Sequence, residues 1–89
     1  MNFEINWRLK IDDQVYKDLV KFPKDYQSKI LDVIENFPAN PYAGDINKIR
    51  GEKFMWRRRV GRYRVFYEIK PIERLIHVQW VEFRKSNTY

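Results

Sequence analysis

The chain has 89 residues, 44% of them hydrophobic, and a formal net charge of +6, dimensions that point to one domain, residues 1–89, around one modest core. No apolar run approaches the roughly 20 residues of a membrane span, and the alternating stretch Met1–Trp7 does not read as a signal peptide. Cysteine is absent, which excludes disulfides, thiolate nucleophiles and zinc–thiolate sites and fits a cytoplasmic protein.

Phe3, Ile5, Trp7 and Leu9 alternate with Glu4, Asn6 and Arg8, the period of a strand with one buried face. Asp12 or Asp13 then caps a short helix, where a carboxylate accepts orphan backbone N–H groups. Val15, Leu19 and Phe22 form its apolar stripe, and Pro23 ends or sharply turns it. A second helix is predicted from about Lys24 to Asn36, with Tyr26, Ile30, Val33, Ile34 and Phe37 at helical spacing. Pro38, Asn40-Pro41 and Gly44 mark a long loop.

After the loop the pattern changes to strands. Phe54–Val60 and Arg62–Lys70 flank Gly61, a natural tight-turn residue. Pro71 opens the next turn, and Leu75–Phe83 is rich in β-branched and aromatic residues. The alternation shifts between Val78 and Val81, where a bulge or bend is expected. The order is β-α-α-β-β-β. This is an α+β fold in which a two-helix hairpin packs on one face of a mostly antiparallel sheet and leaves the other face open.

Charge is polarised along the chain. Residues 1–47 hold 6 Lys/Arg against 8 Asp/Glu, a balance of −2, and residues 48–89 hold 12 against 4, a balance of +8. A basic half of this kind suits a polyanion such as nucleic acid. Lys48, Arg50, Lys53, Arg57, Arg58, Arg59, Arg62 and Arg64 fall in one segment opposed only by Glu52. Strand parity sorts them. Tyr63, Val65, Tyr67 and Ile69 suit the helix-covered face, so Arg62, Arg64, Phe66 and Glu68 face outward. A hairpin across Gly61 then brings Arg57, Arg59 and Arg64 together on the open face, where guanidinium groups can hold phosphate oxygens bidentately. Arg58 has the opposite parity and a structural reading, paired with a helix acid or extended to the sheet edge.

The other chemistry-bearing residues read as structural. His77 is the only histidine and reads as a strand residue. Trp7, Trp56 and Trp80 read as core or rim, given the area a tryptophan buries. Neither a glycine-rich phosphate loop nor a serine nucleophile motif is present. Arg84 ends the last strand and Tyr89 is the final residue. A terminal aromatic is usually frayed, but in an RNA-binding protein it can stack on a base.

KIRG (Lys48–Gly51), WRRRVGRYRVFYEI (Trp56–Ile69), VEFRKSNTY (Val81–Tyr89) and the KDLVKFP segment (Lys17–Pro23) before a second helix together resemble the RelE/ParE superfamily of bacterial and archaeal toxins. The resemblance spans essentially the whole chain. It implies a type II toxin that cleaves translated mRNA at the ribosome without a metal or other cofactor, in the cytoplasm and away from membranes. It also implies a neighbouring antitoxin as partner. Carried over residue by residue, the catalytic set is Arg57, Arg59, Arg64, Arg84 and Tyr89, with Lys48, Arg50, Lys53, Arg62 and Lys85 as further RNA contacts. The implied reaction is attack of a 2′-hydroxyl on its own phosphate. One departure stands out. Arg59 occupies a position where the family often has a lysine as base, and arginine, with a pKa above about 12, is a poor base. Glu52, Glu82 and His77 are the remaining candidates. The alternatives are a gyrase-poisoning, ParE-like toxin and an inactive nucleic-acid-binding homologue of the same fold.

Overall fold

The computed structural model describes residues 7–84. Seven elements follow in order: β1 (Arg8–Ile11), α1 (Asp13–Leu19), α2 (Lys24–Asn36), β2 (Ile46–Lys48), β3 (Met55–Val60), β4 (Tyr63–Lys70) and β5 (Leu75–Phe83). The expected fold class is present, with one strand more than the pattern suggested. β2 is only three residues long, too short for alternation to mark. The sheet order is β1-β5-β4-β3-β2. β1 runs parallel to β5 and every other pairing is antiparallel. The first half of the N-terminal strand expected from Phe3 lies outside the described residues.

Local chemistry explains the elements. Asp12 is the N-cap of α1, and its carboxylate accepts the Gln14 N–H at 3.0 Å. That bond, with His77 adding to it, holds the Asp12 carboxyl below its ordinary range. α1 closes at Val20, before Pro23, which instead opens α2 from the N-cap position; there a residue without an N–H sacrifices no helical bond. Gly61 turns the β3–β4 hairpin at φ +61°, in the left-handed region that glycine enters without a Cβ clash.

The core lies between the helices and one face of the sheet. Val15, Leu19, Ile30, Ile34 and Phe37 meet Val60, Tyr63, Val65, Tyr67, Ile69, Ile76, Val78 and Val81. Phe37 stacks on Tyr67 with ring centroids 4.2 Å apart, and Phe22 and Tyr26 pack on Tyr63. The buried Tyr67 hydroxyl donates to the Pro41 carbonyl at 3.1 Å, tying the long loop to the core, and burial pushes its phenol well above the ordinary tyrosine value.

The expected bulge is present. Phe66 pairs with Trp80 but Tyr67 pairs with Val78, which leaves Gln79 as the extra residue on β5. β1 pairs with β5 only as far as Val78. Beyond it the Val81 N–H donates to Asp18 of α1 at 2.9 Å, so a helix carboxylate takes over the role of the missing strand. No described helix is long and apolar enough to cross a membrane.

Candidate functional site

Residues paired across strands share a face, so the register of β3, β4 and β5 fixes which side chains gather. Arg57 lies opposite Phe66, and Arg59 opposite Arg64. Arg64 also lies opposite Glu82, and Phe66 opposite Trp80. These residues occupy the face without helices, while Trp56, Arg58 and Val60 pair with Tyr67, Val65 and Tyr63 on the covered face. The three arginines singled out by parity are therefore neighbours on the open side.

Their environments differ. Arg57 and Arg64 are half-buried, and their Nε atoms are buried without a hydrogen-bond partner among the described residues. A buried donor left unpaired is costly, and the two half-buried guanidinium groups bring positive charge to the same face. Arg59 is exposed and already engaged, with Nε donating to Asp45 Oδ2 at 3.1 Å. Its neighbour Arg58 donates from Nη1 to the Ala43 carbonyl and from Nε to the Arg59 carbonyl, each at 3.3 Å. It thus pins the loop before β2 rather than pairing with a helix acid. A Cβ at Gly44 would run into that guanidinium, and Gly44 sits at φ +89°, so the loop passes close by because position 44 is glycine.

The other expected contacts are spread around this centre. Arg84 is exposed just past β5, and its N–H donates to the Arg62 carbonyl at 2.7 Å, so the backbones at Arg62 and Arg84 meet at the same end of the sheet as Arg64. Lys48 pairs with Trp56, on the parity opposite to Arg57, and its ammonium donates to the Glu52 carbonyl. The β2 residue beside Arg57 is Asn47. Arg50 and Lys53 are exposed in the β2–β3 connection, with Lys53 over the Phe54 ring. Lys85 and Tyr89 lie outside the described residues.

Three contacts on this side of the sheet depend on tertiary pairing that the sequence pattern does not show. Trp7 and Trp56 pack against the core as expected, but Trp80 lies on the open face, stacked on Phe66 with centroids 4.6 Å apart and rings tilted by 11°. The bulge at Gln79 sets the parity that turns Trp80 toward this face. Asp45 holds Arg59 from a loop that carries no periodic signal. His77 lies with Nδ1 3.6 Å from Glu68 Oε1 and Nε2 3.6 Å from Asp12 Oδ2, between two carboxylates from different elements. It is a strand residue, as expected, on the open face.

A family model described as the ParE toxin of type II toxin–antitoxin systems, parDE, matches residues 9–80. The putative toxin RelE1 of Methanocaldococcus jannaschii is 27% identical over 85 residues, covering 92% of this chain and 94% of that protein. A chain of the archaeal RelE–RelB complex from Pyrococcus horikoshii superposes with a TM-score of 0.78 at 26% identity, over 92% of this chain and 99% of that one. Isolated E. coli RelE, at 17% identity, shares the fold with a TM-score of 0.74 over 91% and 87% of the two chains.

Proposed function

We propose that this chain, which belongs to the ParE toxin family of type II toxin–antitoxin systems, acts as an endoribonuclease that cuts translated mRNA, with its site on the open face of the sheet. The observation that carries this reading is the pair of half-buried arginines on adjacent strands, Arg57 and Arg64, whose Nε atoms have no hydrogen-bond partner among the described residues. Two such groups form a preorganised clamp for the charge that builds on non-bridging phosphate oxygens in the transition state.

In this reaction the 2′-oxygen attacks the adjacent phosphorus and forms the new P–O bond as the P–O5′ bond breaks. The products are a 2′,3′-cyclic phosphate and a 5′-hydroxyl, the leaving 5′-oxygen taking its proton from water. Arg57 and Arg64 hold the non-bridging oxygens, Arg84 stands by the leaving 5′-oxygen and Tyr89 orients the nucleotide. Arg59 is a poor base by its chemistry and by its bond to Asp45. Of the carboxylates, Glu82 lies directly opposite Arg64 and is the best-situated group to take the 2′-hydroxyl proton. Lys48, Arg50, Lys53, Arg62 and Lys85 add phosphate contacts along the RNA. A cognate antitoxin is the protein partner, as RelB is for RelE in the archaeal complex.

The test is to induce the chain in cells and map mRNA ends. Cuts within translated codons support the reading, and intact transcripts contradict it. Binding to single-stranded RNA should also weaken with salt at a log–log slope of about −0.7 per phosphate contact. One observation favours a second reading, gyrase poisoning: the matching family model describes ParE toxins. DNA damage with intact transcripts would select it.

A further inference from the structure

Next to Arg57 and Arg64 the open face carries a shallow groove of about 370 Å³, within the roughly 300–1,000 Å³ of small-molecule sites. Ile49, Met55, Phe66 and Trp80 give it an apolar lining, Glu52 and Glu68 are its acidic residues, and Gln79 adds an amide. Phe66 lies opposite Arg57 and two residues along β4 from Arg64, a separation of roughly 7 Å along the strand. That is the scale of one nucleotide from phosphate to base. Trp80 is held by its Nε1–H bond to Glu82 at 3.1 Å, and Glu68 Oε1 by His77 and Lys70 at 3.6 and 3.8 Å. Cross-strand packing alone accounts for an aromatic stack. It does not call for two carboxylates in the same groove beside two arginines whose Nε atoms have no hydrogen-bond partner among the described residues.

We propose that this groove is a nucleobase subsite that receives the base of a nucleotide whose phosphate rests on Arg57 and Arg64, and that it favours bases with an exocyclic amino group over uracil. The inference rests on the RNA-cutting reading above. Its chemistry is that of complementary ends: cationic groups meet the phosphate, an aromatic and thioether lining meets the flat ring, and carboxylates, which only accept hydrogen bonds, meet amino donors. Adenine, cytosine and guanine present such donors, whereas uracil turns its O4 acceptor toward the carboxylates.

The experiment is fluorescence anisotropy of the full chain with labelled 2′-O-methyl tetranucleotides, which lack the attacking hydroxyl and so report binding alone. Tetracytidylate should bind about tenfold more tightly than tetrauridylate, a pair that holds ring size constant. The Glu52→Gln/Glu68→Gln double variant should erase that preference, since an amide both donates and accepts. Trp80→Leu should weaken tetracytidylate about tenfold, with circular dichroism as the folding control and the near-isosteric glutamine variant carrying the test if Trp80→Leu does not fold. Equal affinity of the wild type for the two oligonucleotides, or a preference that survives the double variant, overturns the subsite. If binding still depends on Arg57 and Arg64 in that case, the RNA reading stands without it. Absence of oligonucleotide binding, or binding indifferent to Arg57→Ala/Arg64→Ala, overturns the RNA reading itself.

Discussion

The two faces of β4 are built from alternate residues of one strand, yet they are finished to different degrees. On the covered face Tyr63, Val65, Tyr67 and Ile69 are all buried, and the Tyr67 hydroxyl is paired with Pro41. On the open face Arg64, Phe66 and Glu68 share the surface with Arg57 and His77. The three buried side-chain nitrogens without hydrogen-bond partners among the described residues, Arg57 Nε, Arg64 Nε and His77 Nε2, all belong to this face. The covered face is complete in itself and supplies stability. The open face holds polar groups that a ligand would satisfy, the usual signature of a site whose groups are held ready at some cost. Parity along the strand should therefore sort mutations into those that unfold the protein and those that only disarm it.

The largest effect on stability is expected from the covered side. Ile34 is fully buried, and Ile34→Ala should lower unfolding free energy by about 2–5 kcal/mol, measured by urea denaturation. A smaller effect comes from Tyr67→Phe, which removes one buried hydrogen bond and should cost about 1 kcal/mol. It also tests the ionisation of that phenol. The folded-state value lies above the ordinary 10.0, so this contribution is fully present below pH 10 and is lost as pH rises beyond it. Wild type should lose stability faster than Tyr67→Phe across that alkaline range, and parallel curves would contradict the assignment. The smallest effect belongs to the exposed pair on the open side: Asp45→Ala, which frees Arg59, should change stability by under about 1 kcal/mol. A loss as large as that of Ile34→Ala would break the distinction between the faces.

Much of this division was legible in the sequence because side-chain parity depends only on the period of a strand. The α2 boundaries, the β5 boundaries, the bulge and the shared face of Arg57, Arg59 and Arg64 follow from local pattern. Features that depend on distant partners were not legible. Alternation identified an N-terminal strand but could not say that its described part lies parallel to β5. β2 exists because Asn47 and its neighbours pair with β3, not because three residues have strand character of their own. The area a tryptophan buries suggests core or rim for Trp80, and only the pairing with Phe66 puts it on the open face. The roles of Asp45 toward Arg59 and of Asp18 toward Val81 join residues far apart in the chain, which no window of sequence contains.

The central claim is that chemistry resides on the open face and not in the basic segment as a whole, and Arg58 and Arg64 test it directly. Both belong to the same charge run, but Arg64 Nε on the open side has no hydrogen-bond partner among the described residues, and Arg58 pins a loop on the other. The measurement is cleavage of a translated mRNA by purified Arg64→Ala and Arg58→Ala variants, with circular dichroism confirming the fold of each. The account predicts that Arg64→Ala loses about 10²–10³ in rate, the usual effect of removing one preorganised transition-state donor, while Arg58→Ala retains most of its activity. Equal loss in the two variants would contradict it and return the arginines to the status of bulk surface charge.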